Sequence, residues 1–189
     1  GKASGFDATL DLSTLNGSNG FYLDVREQNI SVSNAGDING DGLDDLIVGS
    51  VVGYGYGYGG YAYFSSSYVV FGKTSGFSAT LDVSSLDGSN GFLLRGPGTG
   101  SYGSPSVSNA GDVNGDGFDD VIVGAANQSY VVFGKDSGFS AVLVLSSLDG
   151  INGFRLTGGG STVSSAGDVN GDGFDDLLVC NEQANSSFV

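Results

Sequence analysis

The chain has 189 residues, 35 of them Gly and 2 Pro, with 39% hydrophobic residues including 12 Phe and 9 Tyr; this disfavours long helices yet leaves enough apolar mass to pack a core. The absence of His and Trp, with Cys180 the single cysteine, excludes His-based acid–base catalysis, His/Cys metal sites and an intrachain disulfide framework. A net charge of −15, from 21 acids against 6 bases, opposes nucleic acid and anionic lipid and favours cations as partners.

Three blocks recur in the same order along the chain. SGFDATLDLSTLNGSNGF at 4–21 returns as SGFSATLDVSSLDGSNGF at 75–92 and SGFSAVLVLSSLDGINGF at 137–154. SNAGDINGDGLDDLIVGS at 33–50 returns as SNAGDVNGDGFDDVIVGA at 108–125 and SSAGDVNGDGFDDLLVCN at 164–181. YVVFGK stands at 68–73 and 130–135, and the chain ends in SFV at 187–189. The repeat units are approximately 4–74, 75–136 and 137–189, the first with a Gly/Tyr-rich insertion at 51–67 and the last cut short. Gly1 and Lys2 in the place of an FGK tail, and the lack of Met, are expected of a processed product or a piece of something longer.

Within a unit, four short runs read as strands: the stretch ending at Asp112, the run from Asp119, Ser129 to Phe133, and the run from Gly153. They are rich in Val, Ile, Phe and Tyr and bounded by Gly, Asn, Asp and Ser. No helical period separates them, against a doubly wound α/β fold. A repeat of about 60 residues, with one insertion in the first unit, suits one four-stranded propeller blade. The predicted fold is all-β, a β-propeller arrangement of antiparallel blades with three blade equivalents in this chain.

The sharpest chemical signal is a nine-residue loop, DINGDGLDD at 37–45 and DVNGDGFDD at 112–120 and 168–176. Oxygen donors at its first, third, fifth and ninth positions, with Gly at the sixth for the sharp turn, let the chain curl around a hard cation. The predicted ligands are Asp37, Asn39, Asp41, Asp45 and the Leu43 carbonyl; Asp112, Asn114, Asp116, Asp120 and the Phe118 carbonyl; and Asp168, Asn170, Asp172, Asp176 and the Phe174 carbonyl. Asp44, Asp119 and Asp175, at the eighth position, are expected to point away as solvated charges. An all-oxygen, flexible donor set favours Ca2+ over Mg2+, giving three calcium sites. An EF-hand needs a Glu at the twelfth position and a following helix, where this chain has Val48, Val123 and Val179 leading β-branched runs.

The DxNxDGxxD loop, the following Val123-Gly124-Ala125, and the pairs Phe71-Gly72 and Phe133-Gly134 together resemble the FG-GAP repeat of integrin alpha-chain β-propellers and bacterial surface proteins. The resemblance spans nearly the whole chain. It implies blades whose calcium loops join the first and second strands on one face of a propeller, extracellular or at the cell surface. Val48-Gly49-Ser50 and Val179-Cys180-Asn181 depart from the family's Gly-Ala-Pro turn, and no copy has its Pro.

The insertion alternates Tyr54, Tyr56 and Tyr58 with Gly. A turn at Gly59-Gly60 predicts Tyr58 opposite Tyr61 and Tyr56 opposite Tyr63, an aromatic face on a protruding hairpin for sugar or protein. An enzyme lacks its parts here, having no His and no activated Cys, although a glycosidase-like carboxylate pair is the catalytic alternative. The chain therefore reads as a non-catalytic calcium-binding extracellular module for adhesion or surface assembly. Its alternatives are a structural subunit of a fibre or coat and a carbohydrate-binding or glycan-processing module. Expected partners are a protein or glycan at a surface. Nucleic acid and membrane insertion are not expected, since no run of about 18 apolar residues exists. Unpaired sheet edges at the two ends predict head-to-tail self-association or continuation in a longer array.

Overall fold

A computed structural model describes residues 5, 7–56, 60–98, 105–125, 128–158, 160, 162–181 and 184–189; at 54–56, 60–62 and 98 it describes the backbone. The strands are β1 (Tyr22–Asp24), β2 (Gln28–Gly36), β3 (Asp45–Tyr56), β4 (Gly60–Val70), β5 (Thr80–Asp82), β6 (Gly91–Gly98) and β7 (Ser106–Gly111). They continue as β8 (Asp120–Ala125), β9 (Gln128–Val132), β10 (Val142–Val144), β11 (Gly153–Leu156), β12 (Thr162–Gly167), β13 (Asp176–Asn181) and β14 (Ser186–Phe188). Helix among the described residues is confined to 3-10 turns at Leu12–Thr14, Val83–Ser85 and Leu145–Ser147. The fold is all-β, built mainly of antiparallel sheets.

The chain divides into two compact units, Gly1–Arg26 with Lys73–Ser85 and Glu27–Gly72 with Leu86–Val189. In the smaller unit, β1 and β5 pair in parallel with Leu23 opposite Leu81. Phe21 stacks on Phe77 at 4.1 Å between ring centroids. Arg26, exposed, bridges Asp24 at 2.8 Å and Asp82 at 3.1 Å.

The larger unit holds three sheets in series, ordered β10-β6-β4-β3-β2, β11-β9-β8-β7 and β12-β13-β14. Each cation-loop candidate joins the first and second strands of its sheet: β2 to β3, β7 to β8 and β12 to β13. Of the second strands, β8 is a continuous apolar run after Asp120 because both of its faces are covered, whereas β13 is mostly half-buried. All six residues of β8 are buried. Ile47, Val69, Phe92 and Leu94 of the first sheet pack against Val121, Val123, Tyr130 and Val132 of the second. Ile122 and Val131 face the other way, onto Val163 and Val179 of the third. Phe92, without solvent exposure, stacks on Phe139 at 4.6 Å.

Two strand additions were not foreseen from sequence. β10, from the third sequence unit, adds in parallel to β6, with Leu143 opposite Leu94, just as β5 adds to β1. The 3-10 turn that follows buries Leu145 in the first core, with Phe139, Leu143 and Leu148 packed around it.

The insertion lengthens the β3–β4 hairpin, but not in the predicted register. Pairing runs unbroken from Leu46 opposite Val70 to Tyr56 opposite Gly60, so Gly53 faces Tyr63 and Gly55 faces Tyr61. The buried base of the hairpin, where Ile47 and Val69 pair in the core, fixes the register, and a slip would expose that face. Tyr63 is buried. The predicted aromatic face itself falls on Tyr58 and on the side chains of Tyr54, Tyr56 and Tyr61, outside the described residues.

Candidate metal centre

Each loop opens at an irregularity in strand pairing, between Asn34 and Gly36, Asn109 and Gly111, and Ser165 and Gly167. The glycine there has φ of 64°, 71° and 67° in turn, a conformation that turns the next residue out of the strand. That residue is the first-position aspartate. Asp37 accepts the backbone N–H groups of Asp41 at 2.9 Å and Gly42 at 2.8 Å. Asp112 accepts those of Gly115, Asp116 and Gly117 at 2.7, 3.1 and 2.9 Å. Asp168 repeats the pattern with Gly171, Asp172 and Gly173, and these N–H groups, Gly173's foremost, hold its exposed carboxyl below the usual range. Gly42, Gly117 and Gly173 have φ of 84°, 91° and 90°, the sharp turn expected of the sixth position.

Asn39, Asn114 and Asn170 each accept the N–H two residues on, at 2.9 Å. Asp41, Asp116 and Asp172 do the same with Leu43, Phe118 and Phe174. The loop is thus a chain of side-chain-to-backbone turns, which explains its short Asx residues at alternate positions.

The ninth position is different in kind. Asp45 and Asp120 have no solvent exposure. Asp45 accepts Ile38 N–H at 3.1 Å and Gly72 N–H at 2.7 Å; Asp120 accepts Val113 at 3.0 Å and Gly134 at 2.9 Å. The glycine of each Phe-Gly pair therefore ties the third strand to the loop. A Cβ on Gly134 would stand 2.4 Å from the Asp119 carbonyl, and one on Gly72 would stand 2.7 Å from that of Asp44, so only Gly allows the approach. Burial, with repulsion from the fifth- and first-position aspartates, pushes the Asp45 carboxyl up to about 6 and that of Asp120 up to about 7, against the pull of their N–H partners. Asp176 is only half-buried and accepts Val169 N–H at 2.9 Å.

The eighth position corrects the sequence expectation. Asp119 and Asp175 are not solvated charges: Asp119 accepts Asp37 N–H at 2.8 Å and Asp175 accepts Asp112 N–H at 2.9 Å. Each reaches the loop of the preceding sheet. Asp44 is exposed.

Among the described residues no three carboxylates converge on one point, and Asn39 and Asn114 donate to Asp41 and Asp116 at 3.2 and 2.8 Å. The donor chemistry nevertheless fits a hard cation. All the side-chain donors are oxygens, and each oxygen of Asp45 and Asp120 takes one N–H and keeps a second lone pair. Burial is the main cause that raises Asp45, and the smaller repulsion from Asp41 and Asp37 is of the kind a divalent cation relieves. Asn39 and Asp41 line an open groove of about 490 Å3 with Phe71, Asp87, Asp136 and Phe139, which gives an ion a path to the first loop.

Sequence reasoning missed Glu27. Its half-buried carboxylate accepts the hydroxyls of Ser50 and, at 2.7 Å, Tyr68, beside a recess of about 400 Å3 that also involves Phe64, Ser66 and Arg95. The only available signal was that Glu27 is one of two glutamates among 21 acids.

No helix of the described residues is long and apolar enough to cross a membrane, which leaves β-barrel spans unaddressed. Over 151 residues the chain is 27% identical to integrin alpha-4 of Xenopus laevis, a match covering 77% of this chain and 13% of that protein. The chain thus spans a small part of that relative's length. Residues 112–179, which contain the second loop, the Phe133-Gly134 pair and the third loop, match the FG-GAP-like repeat. The same loop and Phe-Gly pair stand earlier in the chain, at 37–45 and 71–72, before the matched span.

Proposed function

We propose that this chain is a calcium-binding, non-catalytic module that works outside the cell or at its surface, in adhesion or surface assembly. The observation that carries this reading is the threefold loop, each copy with the same four oxygen-bearing side chains and the same N–H bonds from Gly42, Gly117 and Gly173 to the first-position carboxylate. The integrin similarity and the acidic balance support the location. Asp37, Asn39, Asp41 and Asp45, with their counterparts in the other two loops, would hold the ions, each supplying charge neutralisation that stiffens a loop. The exposed outer loops would meet a protein or glycan, with head-to-tail self-association as a further mode of assembly.

Isothermal titration of the chelator-stripped chain tests this. Three calcium ions should bind with dissociation constants of roughly 0.1 to 1 mM, the range of extracellular modules. Absence of calcium binding at about 10 mM would overturn the reading. A second reading, glycan binding, is favoured by the Glu27 recess, where a carboxylate, hydroxyls and an aromatic ring are combined. Glycan-array binding that Glu27→Gln abolishes would support it, and an array without signal would count against it.

A further inference from the structure

We infer that the eighth-position aspartates are positioning residues that couple neighbouring loops: Asp119 sets the affinity of the 37–45 loop, and Asp175 that of the 112–120 loop. This rests on the calcium reading of the loops. It assigns to a carboxylate of one repeat a role in the ion site of the repeat before it.

The contact has two points at each junction. Asp119 accepts Asp37 N–H at 2.8 Å through its carboxylate, and its own N–H returns to the Asp37 carbonyl at 3.4 Å. Asp175 accepts Asp112 N–H at 2.9 Å and returns its N–H to the Asp112 carbonyl at 3.2 Å. The held residue is in both cases the first-position donor, whose carboxylate organises the loop. Its neighbour is a glycine shaped for the purpose: a Cβ on Gly36 would lie 2.2 Å from Asp119 Oδ2, and one on Gly111 would lie 2.1 Å from Asp175 Oδ2.

Other contacts follow the same direction. The Phe118 ring covers Gly40, where a Cβ would meet Cε1 at 2.3 Å, and Phe174 covers Gly115 in the same way. Lys135 N–H donates to the Ile38 carbonyl at 3.0 Å. The residue next to Asp119 is Asp120, the buried ninth-position donor of its own loop. A shift of Asp119 therefore moves donors in two loops at once. The third loop supplies an internal control, since Gly167 has φ of 67° but meets nothing within 4 Å among the described residues.

A packing role alone would lower stability when Asp119 is changed, without altering one loop's calcium response relative to another's. A coupling role predicts a directional effect. Amide NMR of the whole chain during calcium titration separates the two, because Gly42, Gly117 and Gly173 each donate to the first carboxylate of their own loop. Asp119→Asn should raise the calcium midpoint at Gly42 about fivefold or more, within the usual range of coupling between sites, and leave Gly173 unchanged. Asp175→Asn should do the same at Gly117 and spare Gly42, and it serves as the test if Asp119→Asn does not fold. Unchanged midpoints, or equal shifts at all three glycines, would overturn the coupling while leaving the calcium reading intact. A wild-type chain whose three glycines ignore calcium would overturn both.

Discussion

The carboxylate of Asp120 accepts the backbone N–H of Gly134 at 2.9 Å at a position without solvent exposure. Asp45 and Gly72 repeat the bond at 2.7 Å. Gly134→Ala should therefore destabilise by about 2 to 4 kcal/mol, because its methyl group would press on backbone atoms that cannot yield. Chemical denaturation in chelator measures this, and a loss below about 0.5 kcal/mol would show that the loop and the third strand are not locked together.

The same burial has a pH signature. The Asp45 and Asp120 carboxyls sit at about 6 and about 7 when folded, above the unfolded value of 3.8. Through that window the folded state holds more protons than the unfolded, so stability falls as pH rises. In chelator, melting temperature should climb as the pH is lowered from about 7.5 to about 5, and calcium should flatten or reverse the trend by favouring the ionised form. A melting temperature that drops on acidification in chelator would contradict it.

Identical loop positions should respond differently to the same change. Asp119→Ala removes the carboxylate that accepts Asp37 N–H, leaves the backbone bond from Asp119 N–H to the Asp37 carbonyl in place, and should cost about 1 to 2 kcal/mol. Asp44→Ala, at an exposed carboxylate, should stay within about 0.5 kcal/mol of wild type. Thermal melts of the two variants in chelator suffice, and equal losses would show that the junction contact contributes nothing.

Phe92→Ala should be the most damaging core change, at about 3 to 5 kcal/mol, since the ring has no exposure and stacks on Phe139 while meeting Phe71 edge-on at 5.9 Å. Denaturant midpoints report it directly. A loss under about 1 kcal/mol would mean that the first two sheets do not share a packed core.

The loops were legible because three copies align on the same donors, and because a strand follows each one where an EF-hand would have a helix. The eighth position was not legible. Alternation along a strand tells whether Asp119 faces its own sheet, but its partner Asp37 lies 82 residues earlier and enters from a different sheet. The parallel additions of β10 to β6 and β5 to β1 escaped for a similar reason: three residues carry too little periodicity to declare a strand. Tyr56 was paired with Tyr63 on the strength of Gly59-Gly60, whereas Ile47 and Val69, at the other end of the hairpin, decide the register.

The borrowed strand β10 has a consequence for anyone who would exchange these repeats. A splice at the sequence boundary near residue 136 would strip the first sheet of β10 and its core of Leu145. The transferable cassette is out of phase with the written motif, and a graft that carries residues through Leu156 keeps β10 beside β6 and β11 beside β9. Swapped chimaeras cut there should fold where those cut at 136 aggregate through the uncovered edge of β6.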